Sequence, residues 1–195
     1  MDVISNGKEV FIPAIMQQHE KAGIHSGDST CSIPPFSLRA SLQDKIREYT
    51  KRITLDLSIK GPLNIQYAIQ GDDIFVLEVN PRASRSIPFL CKALGIDLID
   101  LSIRAIFCDR VDYPTFKPSK YFFTKAPVFS SKTFTSALGP EMRSTGETMG
   151  VGLCIEESSN RASGQLEESP STSYTLRSLQ EVVEIPILAE LTSKR

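Results

Sequence analysis

The stretch FVLEVNPRASRSIPFL, residues 75–90, places Glu78, Asn80, Arg82 and Arg85 within an otherwise apolar, strand-like run. Just ahead of it LNIQYAIQ, residues 63–70, carries Asn64 and Gln66, and GDD, residues 71–73, separates the two runs. Strand side chains alternate between faces. If 71–73 is a three-residue loop, Gln70 faces Ile74 and Gln66 faces Glu78. Asn64, Gln66 and Ala68 then share a face with Val76, Glu78 and Asn80, while Ile65, Tyr67 and Ile69 share the other with Phe75, Leu77 and Val79. A two-residue loop shifts the pairing by one and scatters the polar set. Three-residue hairpins with a glycine are common.

A carboxylate between two amide oxygens is a small hard-oxygen site. It has too few ligands for an all-protein Ca²⁺ cage, but it suits Mg²⁺ or Mn²⁺, which keep waters and share positions with phosphate oxygens. The two arginines just beyond the strand can neutralise a phosphate. On the hairpin alone, E-x-N-x-R is more often a solvated sheet face with a salt-bridged arginine.

Several elements must position this set. Residues 2–15 read as a hairpin around Asn6-Gly7, with Pro13 marking a strand end. Residues 21–30, KAGIHSGDST, read as a loop. Leu38, Leu42, Ile46, Tyr49, Ile53 and Leu57 form one stripe at helical spacing, which predicts a helix over 37–59 with Ser37 as its N-cap. Residues 87–107 read as helical, interrupted at Gly95 and restarting at Asp97 as a cap. KYFFTKAPVFS reads as a strand, 110–119 as a loop, and SALGPEMRSTGETMGVG as turn-rich. After Gly152 the Ser/Glu-rich composition predicts a disordered polar linker over 153–175, then a short apolar tail over 176–195 split by Pro186.

The chain has 195 residues, is 41% hydrophobic and carries 22 basic against 23 acidic residues, a net charge of −1. That balance gives no general attraction to nucleic acid or to acidic membranes. Four cysteines without a CxxC pair, and two histidines, make a zinc site a poor expectation. The polar start does not suit a secretory peptide, and no apolar run approaches the about 20 residues that span a bilayer. A cytoplasmic protein is expected.

With these motifs in view, GPLNIQYAIQGDDIFVLEVNPRASRSIPFLCKALG, MQQHEKAGIHSGDSTCSIPP and LGPEMRSTGETMGVG closely resemble the large subunit of carbamoyl-phosphate synthetase. HSGDS, ASRSIPF and GPEMRSTGE resemble its second, carbamate-phosphorylating half, and the resemblance covers residues 2–152 in order. It implies an α+β fold, the C-terminal lobe of an ATP-grasp domain over residues 1–152, with an antiparallel sheet of 2–15, 63–70 and 74–80 packed on helices. It implies that Gln66, Glu78 and Asn80 hold Mg²⁺ or Mn²⁺ against ATP, with Gln66 and Glu78 also touching the nucleotide. It further implies that Gly23, Ile24, His25 and Ser26 lie beside the nucleotide and that Arg82 is the catalytic group facing the phosphoryl. The family's partners are ATP, a carbamate or bicarbonate-derived substrate, a glutaminase small subunit and the rest of the large subunit. Its product feeds arginine and pyrimidine biosynthesis.

Against that pattern, residue 1 falls inside the domain, so the family's glycine-rich lid and adenine-reading hinge are expected to be missing. Residues 153–195 resemble neither the helical stretch nor the regulatory domain that follows in the family. Two other functions stay open: a truncated, non-catalytic remnant of that subunit, and another ATP-grasp carboxylate ligase.

Overall fold

The computed structural model describes residues 1–108, 110–115, 119–130 and 138–164. The apolar tail expected over 176–195 lies outside them, as does the part of the expected linker from 165 onward.

The Asn-Gly turn forms as its chemistry requires. Asn6 Oδ1 accepts from the backbone N–H groups of Lys8 at 3.0 Å and Glu9 at 2.8 Å, and Gly7 takes a φ of +86°. The turn joins β1 (Asp2–Asn6) to β2 (Val10–Phe11), a partner of only two residues that ends before Pro13. The other side of β1 pairs with β5 (Lys60–Gln70), and β5 pairs with β6 (Asp73–Asn80), so one antiparallel sheet runs β2-β1-β5-β6. Its strands come from the three segments the sequence assigns to it.

Alternation along β1 fixes what covers each face. Val3 packs with Leu63, Ile65 and Ile46, the last from helix α1 (Ala40–Asp56). Ile4 points to the other side, among Leu90 of α2 (Ile87–Leu94) and Leu98, Leu101 and Ala105 of α3 (Leu98–Phe107). The break between these helices is as expected. Gly95 adopts the left-handed φ of +65°, and the Asp97 carboxylate caps α3 by accepting from the N–H groups of Ile99 and Asp100.

α1 departs from its expected span. It starts after Arg39, which supplies no side-chain cap, and the Ser37 hydroxyl instead accepts from Gln17 Nε2. Its buried side continues through Thr50 and Thr54, while Leu57 is 54% exposed. The reason is polar satisfaction: Thr54 Oγ1 donates to the Thr50 carbonyl, and Thr50 Oγ1 is hydrogen-bonded to the Tyr67 hydroxyl of the sheet. A hydropathy stripe cannot register buried threonines whose hydroxyls are satisfied.

A second antiparallel sheet was not expected. β3 (Gln17–Gln18), β4 (Cys31–Ile33), β7 (Phe122–Val128) and β8 (Gly146–Gly152) are ordered β3-β4-β7-β8. Ile33 and Phe123 from this sheet join Ile4, Leu90 and Leu98 in one core. β8 corrects the turn-rich reading of GETMGVG, and α4 (Ile155–Ala162) corrects the reading of 155–162 as disordered linker. The two corrections share a cause. A Cβ at Gly150 would lie 2.0 Å from the Ser158 carbonyl oxygen and 2.4 Å from the Ala162 nitrogen, and one at Gly152 would lie 2.6 Å from the Ser158 nitrogen. The glycines that depress strand propensity are those that let α4 sit directly on the strand.

Gly150→Ala must therefore displace α4 and should cost about 1–3 kcal/mol, the usual range for overpacking. Gly139→Ala, where a Cβ meets nothing within 4 Å, should leave stability within about 0.5 kcal/mol. Urea unfolding midpoints compare the two; equal midpoints would show that α4 is not docked as described.

Candidate metal and nucleotide site

The hairpin β5–β6 pairs Gln66 with Glu78 and Asn64 with Asn80, the register expected from the sequence, but it arrives there differently. The loop has two residues: Gln70 pairs with Asp73, and Gly71 takes a φ of +62°. The resulting one-residue shift is cancelled where Tyr67 pairs with Val76 and Gln66 with Glu78, which leaves Leu77 as the extra residue of a β-bulge. The polar set survives while the apolar set changes. Between bulge and turn, Ile74 and Val76 lie across from Ile69 and Tyr67, and Phe75 lies across from Ala68. Phe75 and Leu77, expected on the apolar face, are 49% and 51% exposed.

The three expected oxygen-bearing groups converge. Gln66 Nε2 donates to Glu78 Oε1 at 2.5 Å, and Asn80 Nδ2 donates to the same oxygen at 3.0 Å. Gln66 Nε2 also reaches Ser26 Oγ at 2.9 Å, so the loop that carries Ser26 touches the trio directly. Gly23, Ile24, Ser26 and Gln66 line one cavity of about 590 Å³. His25 is half-buried and does not line that cavity: its Nδ1 accepts from the Gly27 N–H at 3.0 Å, which caps the short 3₁₀ turn Ser26–Asp28. Arg82 stands exposed beyond the strand, its guanidinium donating to the adjacent Ala83 carbonyl at 3.2 Å. Arg85 turns elsewhere, donating to the Ser144 carbonyl at 3.3 Å.

Three further polar residues surround the site: Asn64, which the sequence places on the polar face without a role, and Asp28 and Lys125, which it does not single out. Asn64 is buried, stands across from Asn80, and donates to Asp2 Oδ1 at 3.0 Å. Its place two residues before Gln66 was already a same-face signal. Asp28, two residues on from Ser26, and Lys125 are fully buried, and only the tertiary structure brings Lys125 here. Asp28 accepts from the backbone N–H groups of Arg143 and Ser144, both at 2.8 Å, and the Ser144 hydroxyl donates to the Gly27 carbonyl at 2.9 Å. The GPEMRSTGE segment is thus clamped to the loop that carries Ser26. Cys31 also lines the cavity, but burial pushes its thiol up to about 11, so it is a neutral thiol and not a nucleophile at neutral pH.

Among the described residues no cluster of three or more His, Cys, Asp or Glu side chains gathers as a metal site. The hairpin set takes two of its three members from amides. Among those residues, too, no helix is long and apolar enough to cross a membrane.

Sheets and helices arranged this way occur in a known class of ligase. An ADP complex of N5-carboxyaminoimidazole ribonucleotide synthetase aligns with a TM-score of 0.65 at 17% identity, over 84% of this chain and 46% of that one. At that identity the likeness speaks for the fold, an α+β ATP-grasp architecture.

Sequence places the chain within the class. The family described as "Carbamoyl-phosphate synthase L chain, ATP binding domain" matches residues 1–110. The carbamoyl phosphate synthase large chain of Rubrobacter xylanophilus is 44% identical over 156 residues, covering 77% of this chain and 15% of that protein. The large chain of Pseudomonas aeruginosa is 43% identical over 188 residues, covering 93% of this chain and 18% of that protein. The chain belongs to the carbamoyl-phosphate synthase large-chain ATP-binding family, a family of ATP-grasp ligases, and spans under a fifth of the length of these relatives. A match over 93% of the chain runs past Gly152. That corrects the expectation that everything from residue 153 onward is unrelated to the family, and it agrees with α4 packing as an integral part of the second sheet.

Burial works to raise the Asp28 carboxyl, but hydrogen bonds from Ser144 and from the Arg143 N–H outweigh it and hold its pKa below the ordinary 3.8. A depressed folded-state pKa contributes stability that is present above pH 3.8 and is lost as pH falls through the folded value. Asp28→Asn should therefore be less stable than wild type at pH 7, with the difference shrinking as pH falls below 3.8. Thermal melts over this range provide the check, and a difference that grows on acidification would refute the assignment.

Proposed function

We propose that Gln66, Glu78 and Asn80 hold Mg²⁺ or Mn²⁺ against the phosphates of ATP, and that the site belongs to the phosphorylation of carbamate in carbamoyl-phosphate synthesis. The observation that carries the proposal is the meeting of both amides on a single Glu78 oxygen. The donor set fits such a cation: one carboxylate and two amide oxygens are hard ligands, too few to complete a shell, leaving positions for water and phosphate. The amide nitrogens now facing Glu78 and the oxygens that would face a cation differ by a half-turn of each amide, which occupies the same volume. When bound, the divalent cation supplies charge neutralisation of the ATP oxygens.

The chain's own residues do the rest. Arg82, free of the core and just past the strand end, faces the transferring phosphoryl and offsets charge as the carbamate oxygen attacks. Gly23, Ile24, His25 and Ser26 border the nucleotide, with His25 shaping the turn through its bond to Gly27. No covalent intermediate on the protein is required. In the full enzyme the partners are the remainder of the large subunit and a glutaminase small subunit, in the cytoplasm, with the product consumed in arginine and pyrimidine synthesis. Glu78 and Arg82 are exposed, and this favours a companion reading in which the chain alone binds nucleotide weakly and is not catalytic. Open, hydrated charges bind phosphate less tightly than charges closed off from water.

Calorimetric titration of the chain with Mn·ATP tests the site. Glu78→Ala should weaken binding by about tenfold or more, since it removes the only carboxylate of the set, and Gln66→Ala and Asn80→Ala should weaken it by smaller factors. Chelation should abolish the difference between Glu78→Ala and wild type. Unchanged affinity in Glu78→Ala would remove the metal assignment.

A further inference from the structure

Lys125 lies on β7 with its side chain fully buried, an unusual place for a lysine. Its ammonium is matched by two acceptors. It donates to Glu147 Oε1 at 3.1 Å and to the backbone carbonyl of Ser26 at 3.2 Å. The strand register explains the ion pair: Lys125 is opposite Met149 on β8, so Glu147, two residues along, is its diagonal neighbour on the same sheet face. Burying a charge is costly even when it is paired, and an apolar side chain of similar size commonly serves packing as well. What a methionine at this position lacks is a donor for the Ser26 carbonyl.

Ser26 is the residue whose hydroxyl accepts from Gln66 Nε2 at 2.9 Å, and Gln66 in turn meets Glu78. One residue therefore joins the two sheets, its carbonyl held by Lys125 of the second and its hydroxyl held against Gln66 of the first. Resting on the metal–nucleotide reading above, we propose that Lys125 is a positioning residue for that site. Its buried ammonium, anchored by Glu147, fixes the Ser26 backbone so that the Ser26 hydroxyl orients the Gln66 amide. Lys125 touches neither the cation nor the nucleotide and acts through Ser26 alone.

That route has a signature which general destabilisation lacks. Lys125→Met should weaken Mn·ATP binding by about tenfold, Ser26→Ala by a similar factor, and the double variant should bind no more weakly than the weaker-binding single variant. Losses that multiply, or a Lys125→Met chain that binds as wild type does, overturn the proposal. Should Lys125→Met fail to fold, Glu147→Gln keeps the volume and should shift binding in the same direction by a smaller factor that also vanishes in the Ser26→Ala background; no shift, or one that persists there, overturns the proposal.

Amide hydrogen exchange separates this step from the metal reading itself. The Gly27 and Asp28 amides are hydrogen-bonded within the Ser26 turn. They should exchange faster in Lys125→Met, or in Glu147→Gln if that is the variant that folds, while the amides of α1 exchange at the wild-type rate. If the wild-type chain binds no Mn·ATP, the metal reading fails and exchange decides the positioning role by itself. Unchanged rates at Gly27 and Asp28 overturn it.

Discussion

The site depends on the register of one hairpin. Strand side chains alternate strictly, so a slip of one residue between β5 and β6 would send Glu78 to the opposite face from Gln66. The two-residue turn at Gly71-Asp72 imposes that slip, and the bulge at Leu77 removes it. Every polar contact of the trio lies on the strand-end side of the bulge. The bulge also raises the local twist and frees Leu77 from the core, leaving it on the cavity wall beside Ala68 and Gln66. One extra residue thus aligns three oxygen-bearing side chains and gives the cavity an apolar border.

Around the hairpin, the second sheet works as a frame for loops. The segment from Gly23 to Asp28 has little hydrophobic anchorage of its own. It is tied to the 138–145 segment through Asp28 and Ser144, and to β7 and β8 through Lys125 and Glu147. Hydrogen bonds to buried charged groups are worth more than neutral ones, and here they fall on a loop whose Ser26 hydroxyl meets Gln66 of the neighbouring sheet. Arg85 adds to the same clamp from the start of α2 by donating to the Ser144 carbonyl. The arginine nearest the trio in sequence and the one beyond it therefore have separate tasks, Arg82 outward and Arg85 structural.

What the sequence reveals follows what repeats locally. The Asn6-Gly7 turn, the Gly95–Asp97 break and the pairing of Gln66 with Glu78 each rest on a short pattern with a direct physical cause, and each is present. The pairing was reached through the wrong loop, because a bulge has no signature in hydropathy: a three-residue loop without one and a two-residue loop with one give the same pairing at Gln66. The second sheet is hidden for a different reason. β3 and β4 are two and three residues long, too short to alternate visibly. β8 is masked by the glycines that admit α4, and the Ser/Glu-rich helix itself reads as linker because its buried contacts run through Ser158 and Ala162 and not through a leucine stripe. Lys125 could not be found at all from the sequence, since a lysine on a strand gives no sign that its end is buried.

Ser26 shows why a hydroxyl stands between the two sheets. With both amides donating to Glu78, Gln66 presents an N–H to Ser26, and the hydroxyl oxygen accepts it. In the proposed cation-bound state, with the amide turned to offer its oxygen, the same hydroxyl would donate to Gln66. A hydroxyl is both donor and acceptor and rotates between these roles without moving its oxygen. Alanine could satisfy neither state, and a carboxylate only the first. The Lys125 ammonium grips the backbone carbonyl of Ser26 and leaves its side chain alone, so the oxygen stays in place while the proton is free to turn. A rigid carbonyl anchor with a rotatable hydroxyl would let one framework serve both the observed state of the Gln66 amide and the one proposed with a cation bound.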